Sequence, residues 1–318
     1  VNDCGTGEGL FYSRRIGRTP QLAEGHGDAS AQEPTTILAA GKLTGRLPGG
    51  LNIGALDAYT QRAAGRADTT FEPGTNYGVL RIRQDLRGGN TTFGGMLTAV
   101  NRSLDSYSSA YLHRSAYVGA VDFRHRFLKN NYQLSGSFAR SRVAGSDTAI
   151  LATQRGAVHY YQRPDAGFPL DSTRTVLAGD AEAITFGKVG GQHLMFQTDY
   201  QRRSAGFEVN DLGYLRRADQ QVWSTWAGFF DRHQRRLYNR FQWNNNWWQY
   251  WTTGGLPQER AYNTNVNVQF RNNWAVHPGV TIGQLGGTYD DRAARGGPAV
   301  RQDPYVAPSI SIGGDDRK

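Results

Sequence analysis

Apolar and polar side chains alternate almost without error between Tyr262 and Phe270. The positions between the apolar ones carry the amides Asn263, Asn265, Asn267 and Gln269. Because successive side chains of a strand point to opposite faces, this stretch predicts a strand with one apolar face and one uncharged amide face. An amide face suits the wall of a water-filled lumen, and an apolar face suits lipid. The pattern therefore predicts a strand of a transmembrane β-barrel.

The same alternation recurs along the chain between clusters of turn residues. The further candidate strands are 36–46, 51–60, 77–86, 91–101, 117–127, 132–138, 184–186, 194–201, 222–230, 237–246 and 280–289. Segments with a helical period are few. The predicted fold is all-β, an antiparallel up-and-down transmembrane β-barrel with roughly 14–16 strands in this sequence. We expect a polar N-terminal segment, 1–35, in the lumen or periplasm and a barrel over 36–318.

Loop lengths and aromatic positions agree with a barrel. Short turns such as 87–90 alternate with longer polar stretches at 64–75, 103–114, 161–179 and 206–220, as on the two rims of bacterial barrels. Tyr and Trp gather near predicted strand ends, above all from Trp243 to Trp251. A girdle at the lipid–water boundary explains this cluster, and a soluble core cluster remains the alternative.

Composition narrows the class of protein. The mean hydropathy is −0.60, and no run of 18 apolar residues exists, which excludes a helical membrane protein. The net charge of +9 suits an acidic ligand or anionic lipid, but the arginines are spread out, so no nucleic acid partner is expected. Neither a secretion signal at the start nor a terminal aromatic strand before Asp315–Lys318 is present. We therefore expect a longer polypeptide that supplies the last strands.

Catalytic chemistry has no clear signature in the sequence. Seven histidines lack the spacing of metal ligands, and the only cysteine is Cys4. The glycine-rich stretch Gly5–Gly9 lacks the lysine of a phosphate loop. Acids on predicted strands, such as Asp57 and Asp199, suit structural ion pairs. No catalytic residue, metal site or cofactor is predicted, and an enzyme is not favoured.

Charged and aromatic clusters supply the candidate site residues. The candidates for ligand binding or the lumen are Arg14, Arg15, Arg18, Arg81, Arg83, Arg124, His159, Tyr160, Arg163, Asp165, Asn210, Asp211 and Tyr214. The first three arginines precede every strand and suit docking on lumen acids or binding an anion. The strand arginines suit ion-pair ladders with Asp85 and Asp122. Rings and a guanidinium between His159 and Asp165, at an expected strand end, suit a sugar. For every cluster, structural anchoring is favoured over ligand binding.

Five stretches also carry a family resemblance. They are Phe11–Arg18, Thr36–Gly45, Tyr160–Asp165, Asn210–Tyr214 and Arg295–Pro298. Together they resemble a bacterial family that joins an N-terminal carbohydrate-binding family 9-like domain to a C-terminal outer-membrane β-barrel domain of unknown function (family 5916). The resemblance implies that this chain is part of the barrel domain. It implies no catalytic residue.

The sequence therefore predicts a bacterial outer-membrane protein at the cell surface. We expect a pore, a transporter or a membrane anchor linked to carbohydrate binding or uptake. Its expected partners are outer-membrane lipid and an oligosaccharide or other polar solute. Two alternatives stay open, a cell-surface glycan-acting hydrolase with paired acids and a soluble all-β carbohydrate-binding module.

Overall fold

The computed structural model describes residues 9–23, 34–65 and 68–314. Cys4, most of the Gly5–Gly9 stretch and the terminal Asp315–Lys318 lie outside the described residues. The described strands are β1 Ile37–Arg46, β2 Leu51–Thr60, β3 Ala63–Ala64, β4 Thr70–Glu72, β5 Thr75–Leu86, β6 Thr91–Arg102, β7 Ser115–Phe127, β8 Tyr132–Ala144, β9 Val176–Lys188, β10 Leu194–Arg203, β11 Gln220–Asp231, β12 Tyr238–Trp251, β13 Pro257–Phe270, β14 Ala275–Gly283, β15 Thr288–Asp290, β16 Val300–Gln302 and β17 Tyr305–Gly313. Short 3₁₀ turns occupy Ser13–Arg15, Pro48–Gly50, Arg87–Gly89 and Ser108–Ala110.

One antiparallel sheet dominates the fold. Its 13 strands follow the order β1-β2-β5-β6-β7-β8-β9-β10-β11-β12-β13-β14-β17. Each strand pairs with the next one along the chain, apart from two small excursions that form the β3–β4 and β15–β16 ribbons. The prediction of an all-β, up-and-down antiparallel fold is confirmed. Among the described strands, β1 and β17 stand at the two ends of the order, so the sheet is not closed there.

One predicted strand is wrong in its bounds. The alternation predicted a strand over 280–289, whereas β14 ends at Gly283 and β15 begins at Thr288. Gly286 and Gly287 lie between them with φ of 75° and 78°. This left-handed backbone is incompatible with a strand, and glycine adopts it without steric cost. The alternation of apolar residues continues past the end of β14. In the sequence, Gly286 and Gly287 are the sign that the strand is interrupted.

A helix that the sequence did not predict, α1, spans Asp147–Arg155. Ser146 caps its N-terminus, with Oγ accepting a hydrogen bond from the Ala149 amide at 3.1 Å. Asp147 in the first turn and Arg155 in the last turn both suit the helix dipole. The cluster from His159 to Asp165 therefore follows a helix, and its predicted place at a strand end is wrong.

The chain divides into two compact units. Unit 1 contains residues 1–123, 137–182 and 203–219, and unit 2 contains residues 124–136, 183–202 and 220–318.

In unit 1, one face of the sheet is covered and the other is bare. Strand β7 shows the pattern, because Ala116, Val118 and Ala120 are buried while Tyr117 and Val121 are exposed. The covered face packs against residues of α1, of segment 9–23 and of segment 204–219. Buried contributors from these three elements are Leu10, Ile150, Phe207, Val209, Leu212 and Leu215. The core of unit 1 thus lies entirely on one side of its strands.

The bare face of unit 1 is apolar. Its exposed large side chains on the strands include Leu43, Ile82, Phe93, Leu97, Tyr117, Val121 and Phe138. Leu97 is 57% exposed and Val121 is 59% exposed. A soluble sheet that buries one face in a core usually carries polar residues on the other. The bare face of unit 1 departs from that rule, because it exposes large apolar side chains on several strands.

Unit 2 confirms the alternation from which the sequence analysis began. Strands β12 and β13 pair Asn244 with Asn265 and Asn246 with Asn263. These amides share one face. The opposite face exposes large apolar side chains of several unit 2 strands, including Ile184, Phe186, Leu194, Trp223, Phe229, Trp243 and Phe270.

Candidate functional site

Segment 9–23 of unit 1 is docked on segment 204–219. Gly9 and Tyr214 exchange two backbone hydrogen bonds of 3.0 and 2.8 Å. Arg15 donates from Nε to the Gly213 carbonyl at 3.0 Å and from Nη2 to Asn210 Oδ1 at 3.2 Å. A Cβ on Gly213 would lie 2.5 Å from the Gly9 carbonyl oxygen, so this approach needs glycine. Arg15, Asn210 and Tyr214 therefore meet, and Arg15 acts as an anchor.

A buried polar chain runs through the same unit. Arg102 donates from Nη1 to Asp211 Oδ1 at 2.5 Å and to the His113 carbonyl at 3.0 Å. His113 places Nδ1 at 2.8 Å from Asp211 Oδ2 and Nε2 at 2.7 Å from Thr153 Oγ1. The Arg102 side chain is 0% exposed and the Asp211 side chain 8%. Asp211 is thus a buried carboxylate between two cationic groups.

Burial and charge oppose each other in the His113–Asp211 pair. Burial of the imidazole works against its charged form, but the Asp211 carboxylate outweighs burial and raises the pKa of His113. Burial also works against an ionised Asp211, yet the charges and hydrogen bonds of His113 and Arg102 hold the pKa of that carboxyl well below its usual range. Both shifts favour the doubly ionised pair.

The order Asp211, His113, Thr153 has the connectivity of a catalytic triad. The raised pKa of His113 favours an imidazolium, which donates from both nitrogens and cannot take a proton from Thr153. Thr153 in turn donates from Oγ1 to the Ala149 carbonyl at 3.1 Å, a bond within helix α1. The hydrogen bonds of Asp211, His113 and Thr153 therefore form a structural network and not a catalytic triad.

Two further buried polar contacts hold the loop after α1. His159 Nε2 lies 2.7 Å from Glu208 Oε2, and His159 Nδ1 lies 2.7 Å from the Ala205 carbonyl. Burial opposes ionisation of Glu208, but the hydrogen bond from His159 outweighs burial and lowers the pKa of Glu208. Arg163 Nη2 donates to Asp219 Oδ2 at 2.6 Å. His159 and Arg163 are both buried in these contacts.

The remaining candidates are scattered over several environments. Arg14 and Asp165 are exposed, and Tyr160 sits in a turn with φ of 47°. Arg81 forms an ion pair with Asp122 across two strands of unit 1. Arg83 instead pairs with Asp85 of its own strand at 2.9 Å. Arg124 is partly buried on β7 within unit 2, and Arg18 is partly buried in segment 9–23 of unit 1.

Several residues of the network were not found from the sequence. Arg102 is the last residue of β6, His113 lies in a loop, and Glu208 and Asp219 flank the predicted Asn210–Tyr214 cluster. No local motif connects them, because Arg102 and Asp211 are 109 residues apart.

Unit 2 carries an amide network on the polar face of β12, β13 and β14. Asn265 Oδ1 accepts from Asn244 Nδ2 at 2.8 Å and from Asn267 Nδ2 at 3.3 Å. Its own Nδ2 donates to Asn263 Oδ1 at 2.8 Å, and Asn263 donates to Thr281 Oγ1 at 2.9 Å. Hydrogen bonds thus run across three strands without any charged group.

A pocket of about 400 Å³ opens on the same face of unit 2. Its lining combines the rings of Trp226, Trp248 and Tyr250 with the polar groups of Gln197, Asp199 and Asn246. Trp248 Nε1 donates to Glu259 Oε1 at 2.6 Å, and Asp199 Oδ1 accepts from Thr185 Oγ1 at 2.6 Å. These contacts hold a ring and a carboxylate of the lining in place.

No cluster of three His, Cys, Asp or Glu side chains that could hold a metal ion occurs among the described residues. No helix among them has the length and apolarity to cross a membrane.

Fold and site together define an all-β protein with one long antiparallel sheet, a buried ion-pair network and an amide-lined face. The chain belongs to the family of the domain of unknown function DUF5916, whose sequence profile matches residues 6–318. This confirms the predicted resemblance to family 5916 over residues 6–318. No curated protein matches the chain. The carbohydrate-binding family 9-like domain stays an expectation.

Two solved structures of an outer-membrane channel are similar to this chain at a low level. The TodX monoaromatic hydrocarbon channel deltaS2 mutant is 11% identical, with 85% of this chain and 81% of that chain covered at a TM-score of 0.27. The Pseudomonas putida toluene transporter TodX is 10% identical, with 97% and 93% covered at a TM-score of 0.27.

Proposed function

We propose that this chain is a β-barrel protein of the bacterial outer membrane whose amide-lined face admits or binds a polar solute. One observation carries the proposal: the sheet is apolar on the face that nothing in the described structure covers. In unit 1, the strands bury one face in a core and expose leucine, valine and aromatic side chains on the other. In unit 2, an amide network faces one way and exposed tryptophans the other.

Lipid is the occupant that best fits the apolar faces. Monomeric soluble proteins rarely expose apolar patches of more than a few hundred Å², whereas here exposed apolar residues recur on strand after strand within each unit. A strand protein in lipid must satisfy its backbone groups between strands. The ladder of neighbouring pairs does this for the strands that lie between β1 and β17 in the sheet. Bacterial barrels of this kind reside in the outer membrane.

Tryptophan fluorescence tests the membrane location. The full chain is reconstituted in vesicles with and without brominated lipid, which quenches only tryptophans that touch acyl chains. Trp243 is 46% exposed on the apolar face, whereas Trp226 donates from Nε1 to Asn244 Oδ1 at 3.2 Å on the amide face. We expect Trp243→Phe to lower the quenched fraction and Trp226→Phe to raise it. A monomer that stays soluble without detergent would contradict the proposal and favour the soluble binding module.

A neutral sugar is the solute class we propose for the pocket in unit 2. Indole rings offer flat apolar surfaces to the C–H faces of a sugar, and amides and carboxylates hydrogen-bond its hydroxyls. Trp226, Trp248 and Asn246 combine both kinds of group in one lining. Carbohydrate recognition would agree with the sugar-binding domain that the family resemblance implies. A transporter, a pore or a membrane anchor could each carry such a pocket.

Sugar binding is tested separately from membrane location. Glucose and maltotriose are titrated into the reconstituted protein while intrinsic fluorescence and vesicle entry are followed. We expect Trp248→Ala to weaken a saturable signal and Trp274→Ala, at an exposed turn position, to leave it unchanged. Absence of any saturable response to either sugar would remove the carbohydrate proposal and leave the barrel proposal intact.

A further inference from the structure

Four short turns of unit 2 carry the same combination of residue types. They are residues 128–131, 189–193, 232–237 and 271–274, which join β7 to β8, β9 to β10, β11 to β12 and β13 to β14. Each holds an exposed large apolar side chain: Leu128, Val189, Leu237 and Trp274. A cation stands directly beside the first three and three positions before the fourth: Lys129, Lys188, Arg236 and Arg271. A single exposed apolar residue needs no explanation, but a pairing that recurs from turn to turn does.

Backbone hydrogen bonds join the neighbouring turns into one edge. The antiparallel order of the strands places all four turns at the same end of unit 2. We call this edge, with Lys188 and Asp231 at its borders, the cationic rim. The bonds that connect its turns run from the Val189 amide to the Asn131 carbonyl at 2.8 Å, from the Phe230 amide to the His193 carbonyl at 2.7 Å and from the Arg271 amide to the Leu237 carbonyl at 3.3 Å.

The cationic rim has a large excess of positive charge. Residues 128–131, 188–193, 231–237 and 271–274 contain six Lys or Arg residues and one acid, Asp231. Asp231 is buried, and its Oδ2 already accepts from Arg235 Nε at 2.7 Å and from the Tyr238 hydroxyl at 3.0 Å. The rim therefore offers cations beside apolar side chains, and its acid is engaged within the rim itself.

Aromatic rings border the cationic rim on the strands above it. They lie within four residues of a turn on six strands: Phe127, Tyr132, Phe186, Phe196, Phe229 and Phe241. The Tyr132 ring centroid is 5.8 Å from that of Phe127 and 6.3 Å from that of Phe186. Phe186 and Phe229 belong to the exposed apolar face of unit 2. A belt of rings next to polar turns is typical of the lipid–water boundary of a barrel.

We propose that the cationic rim binds the phosphate groups of anionic phospholipids in a bilayer. The proposal rests on the membrane location proposed above and adds the class of lipid and the edge of the sheet that meets it. The apolar turn residues lie at the boundary of the acyl chains, and the adjacent Lys and Arg side chains extend to phosphate oxygens at the level of the headgroups. An anionic lipid is favoured over a zwitterionic one because each Lys or Arg near an anionic surface raises the affinity by about fivefold.

Brominated lipids show which headgroup lies at the rim. The full chain is reconstituted in phosphatidylcholine vesicles that contain equal small amounts of either phosphatidylglycerol or phosphatidylcholine brominated on the acyl chains. The Trp274 signal is the difference between each protein and the same protein carrying Trp274→Phe. We expect the quenching of Trp274 to show a local preference for phosphatidylglycerol of about fivefold or more. Sodium chloride should weaken this preference by screening.

Two double variants with equal loss of charge test the cations. Arg236→Gln with Arg271→Gln removes exposed cations from the turn of Trp274 and from the turn bonded to it, so the preference should fall to about one. Arg295→Gln with Arg301→Gln removes two exposed cations between β14 and β17, at the other end of β14, and should keep the preference. A preference that the first variant retains, that the second loses or that salt leaves unchanged would overturn the proposal.

Trp243 separates this proposal from the membrane location. It is exposed on the apolar face of unit 2, and its signal is obtained in the same way with Trp243→Phe. Quenching of Trp243 by both lipids, together with equal quenching of Trp274 by both, would overturn the headgroup proposal and leave the barrel intact. If neither lipid quenches either tryptophan, the membrane location and the headgroup proposal are both wrong.

Discussion

The Nη1 atom of Arg102 lies 2.5 Å from the Oδ1 atom of Asp211, across 109 residues of chain. Both side chains are shielded from water, and His113 approaches the second carboxylate oxygen at 2.8 Å. A buried pair adds little net stability when it is intact, but removing one partner leaves an uncompensated charge. The contact therefore has consequences that can be measured by substitution.

Asp211→Asn should destabilise the protein strongly. The change leaves the charges of Arg102 and His113 buried without a counter-ion, which costs about 3–5 kcal/mol. The free energy of unfolding is measured by urea titration in detergent. Asp165→Asn, at an exposed carboxyl of the same unit, serves as control and should change it by less than about 0.5 kcal/mol. Equal effects of the two substitutions would show that the network does not stabilise the fold.

The His113–Asp211 pair should make stability depend on pH. The pKa of His113 is raised above its ordinary 6.5, so the pair contributes fully below that value, and the contribution is lost as pH rises through the folded pKa. The pKa of Asp211 is depressed from 3.8, so the contribution is also lost as pH falls from that value through the folded pKa.

The difference in Tm between wild type and His113→Gln isolates this effect. We expect the wild-type advantage to be largest between about pH 5 and pH 6 and to shrink steadily toward about pH 9. The parent protein titrates at many sites, so only the difference between the two proteins is informative. A constant difference over the whole range would mean that His113 contributes through packing alone.

Leu97→Arg distinguishes lipid from water around the sheet. In water, an exposed leucine replaced by arginine changes the free energy of unfolding by less than about 0.5 kcal/mol. On the lipid face of a barrel, the same change costs about 2–4 kcal/mol near the bilayer midplane. Folding into vesicles is followed across a urea series. Leu128→Arg is the control, since Leu128 is 66% exposed in the turn after β7 and should be nearly neutral.

Asn265→Ala should weaken the amide network of unit 2. Asn265 accepts from Asn244 and Asn267 and donates to Asn263, so its loss leaves several partly buried amide groups without a partner. We expect a loss of about 1–3 kcal/mol in the free energy of unfolding. Gln234→Ala removes one exposed amide contact, to Asn239 at 2.9 Å, and should have little effect. If the two variants have the same free energy of unfolding, water replaces the hydrogen bonds of the amide network without loss of stability.

Much of the fold could be predicted from the sequence because strand alternation is local. The period of two between Tyr262 and Phe270 gave both the strand and its polar face, and hydrogen bonds among Asn263, Asn265 and Asn267 confirm it. Helix α1 was missed because its single capped stretch is short and its apolar periodicity weak. The strand predicted over 280–289 was too long because the alternation of side chains gives no information on backbone conformation. Gly286 and Gly287 adopt left-handed conformations that end the strand.

The site was less predictable for a physical reason. Arg15, Asn210, Asp211, His159 and Arg163 were identified from the sequence as members of polar clusters. The structure places all five in unit 1, in segments 9–23 and 204–219 and in the loop after α1. Their partners could not be identified, since Arg102, His113 and Glu208 carry no local signal. Strand pairing and loop packing decide which charged groups meet, across separations of 49 to 109 residues along the chain.

The docking of segment 9–23 also bears on the order in which the chain folds. Every strand of the large sheet can pair with a neighbour already made, one hairpin after another, at a small cost in loop-closure entropy. Arg15, by contrast, donates its hydrogen bond to Gly213, which follows 198 residues later in the chain. The first segment of the described chain is thus among the last to find its place, and its acquisition of protease resistance would report the end of folding rather than its start.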